Sequence, residues 1–162
     1  MKVIVRAPRR DEIPRVWEML LALARYERLE PEVSGSAESL AAHLFAGQPV
    51  VECRVAELGQ RLIGYALFFP TYSSFRTVPE MWLEDLFVEP TERGSGAGRA
   101  LLAEVARIAL ERGFGRLAWE VLDWNAPAIG FYERLGARHA NPGWLMYAMD
   151  ADGMRKLAAG AG

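Results

Sequence analysis

The chain has 162 residues, enough for one domain that buries a real core. With 51% hydrophobic and 25% charged residues it has the make-up of an ordinary globular protein, and a net charge of −2 excludes a nucleic-acid binder working through a broad basic surface. A single cysteine, Cys53, excludes an intrachain disulfide or a cysteine metal cluster, and the two isolated histidines, His43 and His139, offer neither a metal site nor a Ser-His-Asp triad.

Val3 to Ala7 reads as a first strand. Its apolar run is too short for a signal peptide and no later stretch approaches a membrane span, so the expected location is cytoplasmic, without a membrane partner. Asp11 is placed to cap a helix running to about Leu29, with Pro14 in its first turn and Pro31 closing it. Ile13, Val16, Trp17, Leu20 and Ala24 give that helix one apolar face. Ser36 caps a shorter helix ending before Gly47, with Leu40, Leu44 and Phe45 toward the core. Val50–Leu58 and Arg61–Phe69, joined by Gly59-Gln60, form an antiparallel hairpin, and Cys53 within it reads as a buried structural thiol. Residues 70–79, rich in Ser, Thr and Pro, read as a loop.

The stretch from Trp82 to Leu102 organises the second half of the chain. Trp82 to Val88 is apolar and β-prone, with Glu84 and Asp85 set into it, and Pro90 ends the extended run. Arg93, Gly94, Ser95, Gly96, Ala97, Gly98 and Arg99 come next, leading into a helix that carries Leu101, Leu102, Val105 and Ala109 and ends at Gly113. Glycines just before a helix allow close backbone approach, and the helix N-terminus offers unpaired N–H groups to an anion, so the turn suits a phosphate. It is not a Walker loop, because Arg99-Ala100 stands where Lys-Ser/Thr is needed, and it lacks the spacing of a dinucleotide fingerprint. Arg116 to Leu122 reads as a strand parallel to the central one. Asn125 caps a further helix with Pro127 in its first turn and Gly136 past its end, the last sheet elements fall between Ala137 and Met149, and a short helix follows Ala151.

The succession of strand, two helices, hairpin, central strand, R-G-S-G-A-G turn, helix and strand, followed by W-N-A-P-A-I-G-F-Y-E-R-L-G-A, resembles the GNAT superfamily of acetyl-CoA-dependent N-acetyltransferases. Arg93, Gly96 and Gly98 match its R-x-x-G-x-G loop, and Asn125 to Ala137 match its second signature. Within the superfamily the chain is most similar to the diamine (spermidine/spermine) and thialysine acetyltransferases, through A-R-Y-E-R, F-P-T-Y, L-E-D-L-F-V, D-W-N-A-P and P-G-W. The resemblance covers nearly the whole chain and implies a single α/β domain over residues 1–162. Its sheet would be mixed, strongly twisted, splayed at the central strands and flanked by helices.

The resemblance also implies roles. Acetyl-CoA would be the co-substrate, with no metal. The backbone of Leu86, Phe87 and Val88 would bind its pantetheine arm, Arg93 to Arg99 its pyrophosphate, and Asn125, Ala126, Pro127 and Ala128 the remainder. Tyr132 would be the general acid, although periodicity alone equally makes it a core residue of its helix. Tyr26, Glu27, Glu84, Asp85, Trp124 and Trp144 would bind the acceptor, and Glu84 would start the proton path. A homodimer packed through C-terminal sheet elements is implied as well.

The chemistry suits these residue types. Direct attack of an amine on a thioester needs no nucleophilic side chain. An alkylamine of pKa ~10 is only about one part in a thousand neutral at pH 7, so deprotonating it costs roughly 4 kcal/mol, which a nearby carboxylate helps to meet. Full proton transfer from a tyrosine of pKa about 10 to a thiolate of about 8.5 is uphill by ~2 kcal/mol in water, but a hydrogen bond to the developing charge still lowers the barrier. Two departures bear on the acceptor. Ser73-Ser74 and Asn141-Pro142 stand where the polyamine enzymes carry acids, which thins the case for a long polycation. A diamine, a polyamine, a thialysine-like amino acid, a protein amine, or a coenzyme-binding role without catalysis all remain as readings of the residues.

Overall fold

The computed structural model describes residues 2–159. It divides into two compact units, residues 1–122 and 123–162.

The first unit is built on a five-stranded sheet in the order β1 (Val3–Arg6), β2 (Glu52–Leu58), β3 (Arg61–Ser73), β4 (Val78–Val88) and β5 (Leu117–Ala118). The first four strands are antiparallel neighbours and β5 is parallel to β4. Helix α1 (Ile13–Tyr26) packs Ile13, Val16 and Met19 onto Cys53, Val55, Tyr65, Leu67 and Phe87, and α2 (Ala37–Leu44) adds Leu40, Ala41 and Leu44 at the edge of that cluster. Helix α3 (Ala97–Glu111) covers the opposite face. Leu101 approaches Gly64, whose neighbour Tyr65 points to α1, and successive strand residues face opposite ways. A Cβ on Gly64 would come within 2.6 Å of the Phe87 carbonyl, so the tight seating of β3 against β4 requires glycine there.

Several expected boundaries move. Asp11 does not cap α1. It sits in a 3₁₀ turn over Arg10–Glu12, and Glu12, the residue before α1, accepts from the Arg9 N–H at 2.7 Å and from Arg6 at 2.7 and 2.8 Å rather than from the helix. Helix α1 ends at Tyr26, before Pro31, because Arg28 turns to φ 63° and breaks the run. Ser36 caps α2 as expected, its Oγ accepting from the Ser39 N–H at 3.1 Å. Phe45 is partly exposed and lies under the Arg10 guanidinium.

The expected loop over 70–79 is mostly strand. Pro70 pairs with Met81, whose N–H turns the other way and donates to the Arg116 carbonyl, so this is a non-hydrogen-bonded pair. The nitrogen of Pro70 therefore points outward, beyond the end of β2 at Glu52, where no ladder bond is lost. Conversely, the expected strand from Arg116 to Leu122 shrinks to Leu117–Ala118.

In the second unit, α4 (Ala126–Arg134) carries the Asn125 cap, whose Oδ1 accepts from the Ala128 N–H at 3.3 Å, and Gly136 comes after it with φ 91°. The sheet elements expected between Ala137 and Met149 are not formed; the segment is irregular, and Trp144, Leu145, Met146, Tyr147 and Met149 are exposed. A strand needs a partner for its backbone groups, and among the described residues no ladder includes this stretch. Helix α5 (Ala151–Ala159) comes last, and Gly160-Ala161-Gly162 lie outside the described residues.

Candidate active site

The central strand leaves one edge open. β5 pairs with β4 only at Met81 and Trp82, so among the described residues Leu83 to Val88 have no strand paired to them on that side. Tyr65–Phe87 and Leu67–Asp85 alternate with Gly64–Val88 and Ala66–Leu86, and the Glu89 N–H donates to the Ile63 carbonyl at 2.8 Å. The antiparallel alternation then turns the backbone groups of Leu86 and Val88 away from β3, toward the open edge. Phe87 differs from its neighbours. Its backbone faces Tyr65 within the ladder and its side chain is buried in the core, so this strand offers two residues, not three, to a ligand lying along the edge.

Beyond β4 the chain makes a 3₁₀ turn over Pro90–Glu92 and reaches α3 through Gly94 (φ 88°) and Gly96 (φ 89°). Both are left-handed conformations that a side chain strains. Ser95 Oγ accepts from the Ala97 N–H at 3.3 Å, and the first regular helical bond runs from Ala100 to Gly96. The N–H groups of Gly96, Gly98 and Arg99 meet no acceptor among the described residues. This is a built cradle for an anion: free donors and the positive end of α3 converge, with glycine leaving the approach clear. Arg61, at the start of β3, makes an ion pair with Glu92 of this turn at 2.7 Å. Arg93 lies over the ring of Tyr26, 5.0 Å from its centre, so the loop also touches the end of α1.

Between α1 and β4 lies a cleft of about 340 Å³. Leu20, Leu23, Ala24 and Leu67 line its apolar wall, and Glu27, Glu32, Glu84 and Asp85 its acidic one. No lysine or arginine is among its lining residues. A β-bulge between Leu83 and Asp85 brings the last two acids together. Regular alternation would set neighbours Glu84 and Asp85 on opposite faces; the extra residue turns both toward α1. Their environments differ sharply. Glu84, although set into an apolar run, is exposed, and its Oε2 accepts from Trp82 Nε1 at 2.7 Å. Asp85 is the enclosed carboxylate. Burial, with smaller contributions from the charges of Glu84 and Glu27, pushes its pKa up to about 6, against the Tyr65 hydroxyl that donates to it at 3.2 Å. Burial raises the pKa of Glu27 as well.

Tyr65 is a site residue that the motifs do not mark. It reaches Asp85 across twenty residues of chain, and a polar tyrosine inside an otherwise apolar strand is the only signal it leaves. Cys53 is buried beneath the same cluster and its thiol is pushed up to about 12 by burial, as suits a structural thiol and not a nucleophile. In the second unit, Asn125 is buried at the start of α4 and Tyr132 lies on that helix beside Phe131, ring centres 5.2 Å apart. Trp124 is 45% and Trp144 76% exposed. Among the described residues no group of His, Cys, Asp and Glu side chains could hold a metal ion, and no helix is long and apolar enough to cross a membrane.

Comparison with known proteins fits this geometry. The acetyltransferase (GNAT) family profile matches residues 16–137. A thialysine N-epsilon-acetyltransferase of Sus scrofa is 34% identical over 96% of this chain and 97% of its own. An L-ornithine N5-acetyltransferase of Arabidopsis thaliana is 38% identical over 94 residues, 58% of this chain and 41% of its own. An integron cassette protein from the mobile metagenome of V. cholerae superposes with a TM-score of 0.76 at 25% identity, covering 98% of both chains. The chain belongs to the GNAT family and is an acetyltransferase.

Proposed function

We propose that the chain transfers an acetyl group from acetyl-CoA to the primary amine of a small, positively charged molecule by direct attack. One observation carries this reading: an acid-lined, cation-free cleft opens beside the unpaired edge of β4. The near full-length likeness to a thialysine acetyltransferase supports it.

The residues present suit the coenzyme. Leu86 and Val88 would hold an extended amide-bearing arm, as an added strand does, and the N–H groups from Gly96 to Arg99 would hold phosphate, with Arg93, Gly94 and Ser95 shaping the turn. Asn125, Ala126, Pro127 and Ala128 would hold the remainder. Bound acetyl-CoA supplies an acetyl group already activated as a thioester.

The chain's own residues handle the cation and the protons. Glu27 and Asp85 would draw in the ammonium group, Tyr26, next to Glu27 at the end of α1, would contact the acceptor, and Trp124 and Trp144 would add aromatic surface for methylenes. Glu84, exposed and held by the Trp82 indole N–H, would relay a proton outward through solvent. Tyr132 is the group that would hold a proton for the leaving sulfur. The chain would work as one domain, over which a single family profile runs from residue 16 to 137, in the cytoplasm and as a homodimer through its exposed C-terminal apolar segment.

The test is product identity. Incubation with acetyl-CoA and an equimolar mixture of diamines, polyamines, thialysine, ornithine and lysine-containing peptides should give singly acetylated small amines by mass spectrometry. Acetylated peptides alone would move the activity to proteins. No product, with acetyl-CoA still bound, would leave a coenzyme-binding module.

A further inference from the structure

Behind Asp85, which lines the cleft, lies a buried hydroxyl to which the proposed mechanism gives no task. Tyr65 is fully buried in the core cluster, with its ring 6.1 Å from that of Phe87, its partner across the sheet. Its hydroxyl reaches along the pair to Asp85, two residues before Phe87, and donates to Oδ2 at 3.2 Å. A phenylalanine would fill the same apolar space, so the oxygen is what needs explaining.

Among the described residues, the titratable groups that act on Asp85 or share its cleft are acidic or neutral. Tyr65 faces it from β3, Cys53 from β2, Glu84 from its own strand, Glu27 from α1, and Glu32 lines the same cleft. Cys53 and Tyr65 both stay protonated, because burial raises each well above its ordinary range. No cation on the cleft wall offsets this surplus of negative charge. The Tyr65 hydroxyl is thus the protein group that favours the ionised form of Asp85, against burial and against two neighbouring carboxylates.

We propose that Tyr65 is a positioning residue: its hydroxyl clamps Oδ2 of Asp85, leaves Oδ1 for the cleft, and holds ready the carboxylate that an incoming ammonium group meets. The proposal rests on the reading of this cleft as the acceptor site. It assigns the acidic limb of turnover to the Tyr65–Asp85 pair and not to exposed Glu84.

Tyr65→Phe removes one oxygen and keeps the ring. Asp85 in the wild type and in this variant is titrated by carbon NMR of its carboxyl group, and kcat/KM for a small amine is followed against pH. The Asp85 midpoint should rise by about 0.5–1 pH unit in Tyr65→Phe, the amount one hydrogen bond supplies, and the acidic limb of kcat/KM should move with it. A midpoint and limb that stay where they were, or activity lost equally at every pH, would overturn the proposal. Should Tyr65→Phe not fold, Asp85→Asn decides: it must abolish the acidic limb, and a limb retained at the wild-type pH refutes the assignment. The NMR midpoint is readable without turnover, so a wild type inactive on small amines would count against the acceptor reading alone.

Discussion

The guanidinium of Arg93 lies 5.0 Å above the ring centre of Tyr26, which joins the glycine turn before α3 to the last turn of α1. One contact thereby links the glycine turn to the helix whose Leu20, Leu23 and Ala24 line the acidic cleft. Replacing Tyr26 by leucine removes a cation–π contact worth about 0.5–1 kcal/mol, so the Kd for acetyl-CoA should rise about two- to fivefold. Calorimetric titration with acetyl-CoA checks this.

Gly96 sits at φ 89° with nothing within 4 Å of the position a Cβ would take. The cost of Gly96→Ala is therefore conformational and not steric, about 1–2 kcal/mol. The variant should melt at a lower temperature and bind acetyl-CoA more weakly. Gly47, whose Cβ position is equally open but whose φ is not positive, should accept alanine with little change in either measurement.

Glu12 gives a prediction about acid stability. The hydrogen bonds from Arg6, with that from the Arg9 N–H, hold its pKa down to about 2 against burial. A carboxylate whose pKa is depressed by folding stabilises above its unfolded value near 4.5, and that contribution fades as pH falls through the folded value near 2. Glu12→Gln should cost about 1–2 kcal/mol at pH 7 once solvent screening is allowed for. Urea unfolding of both proteins should show the difference shrinking between about pH 5 and pH 2.

Tyr132→Phe should lower kcat by ~10²-fold while leaving the Kd for acetyl-CoA within about twofold, because the hydrogen bond proposed for its hydroxyl would strengthen only as charge develops. Steady-state turnover assays and calorimetry measure the two separately. Unchanged kcat would return Tyr132 to the apolar packing of α4.

How much of the fold and site is legible in the residues depends on the range of the interactions involved. The Gly94–Gly96 turn, the Ser36 and Asn125 caps and the Gly59–Gln60 hairpin are local, set by glycine conformations and by side chains bonding backbone three residues away. The bulge at Glu84 is not. It depends on the register between β3 and β4, and without it the two acids would divide between faces. Tyr65–Asp85 spans twenty residues and leaves no periodic trace. Pro70 and Pro79 suggest a loop because a proline's defect in a sheet depends on which side its nitrogen faces, and only the neighbouring strands decide that.

If the acidic cleft selects a small cationic amine for acetyl transfer, its carboxylates must govern turnover. The rate of coenzyme A thiol release from acetyl-CoA, measured as acceptor concentration is varied for the wild type and for Glu27→Gln/Asp85→Asn, decides this. Release should saturate with a diamine or thialysine-like acceptor. In the double variant kcat/KM should be at least ~10-fold lower, since removing charge-assisted partners of a cation costs about 1.5–3 kcal/mol. Release unaffected by both substitutions, or seen only with peptides, would refute selection of a small amine by this cleft.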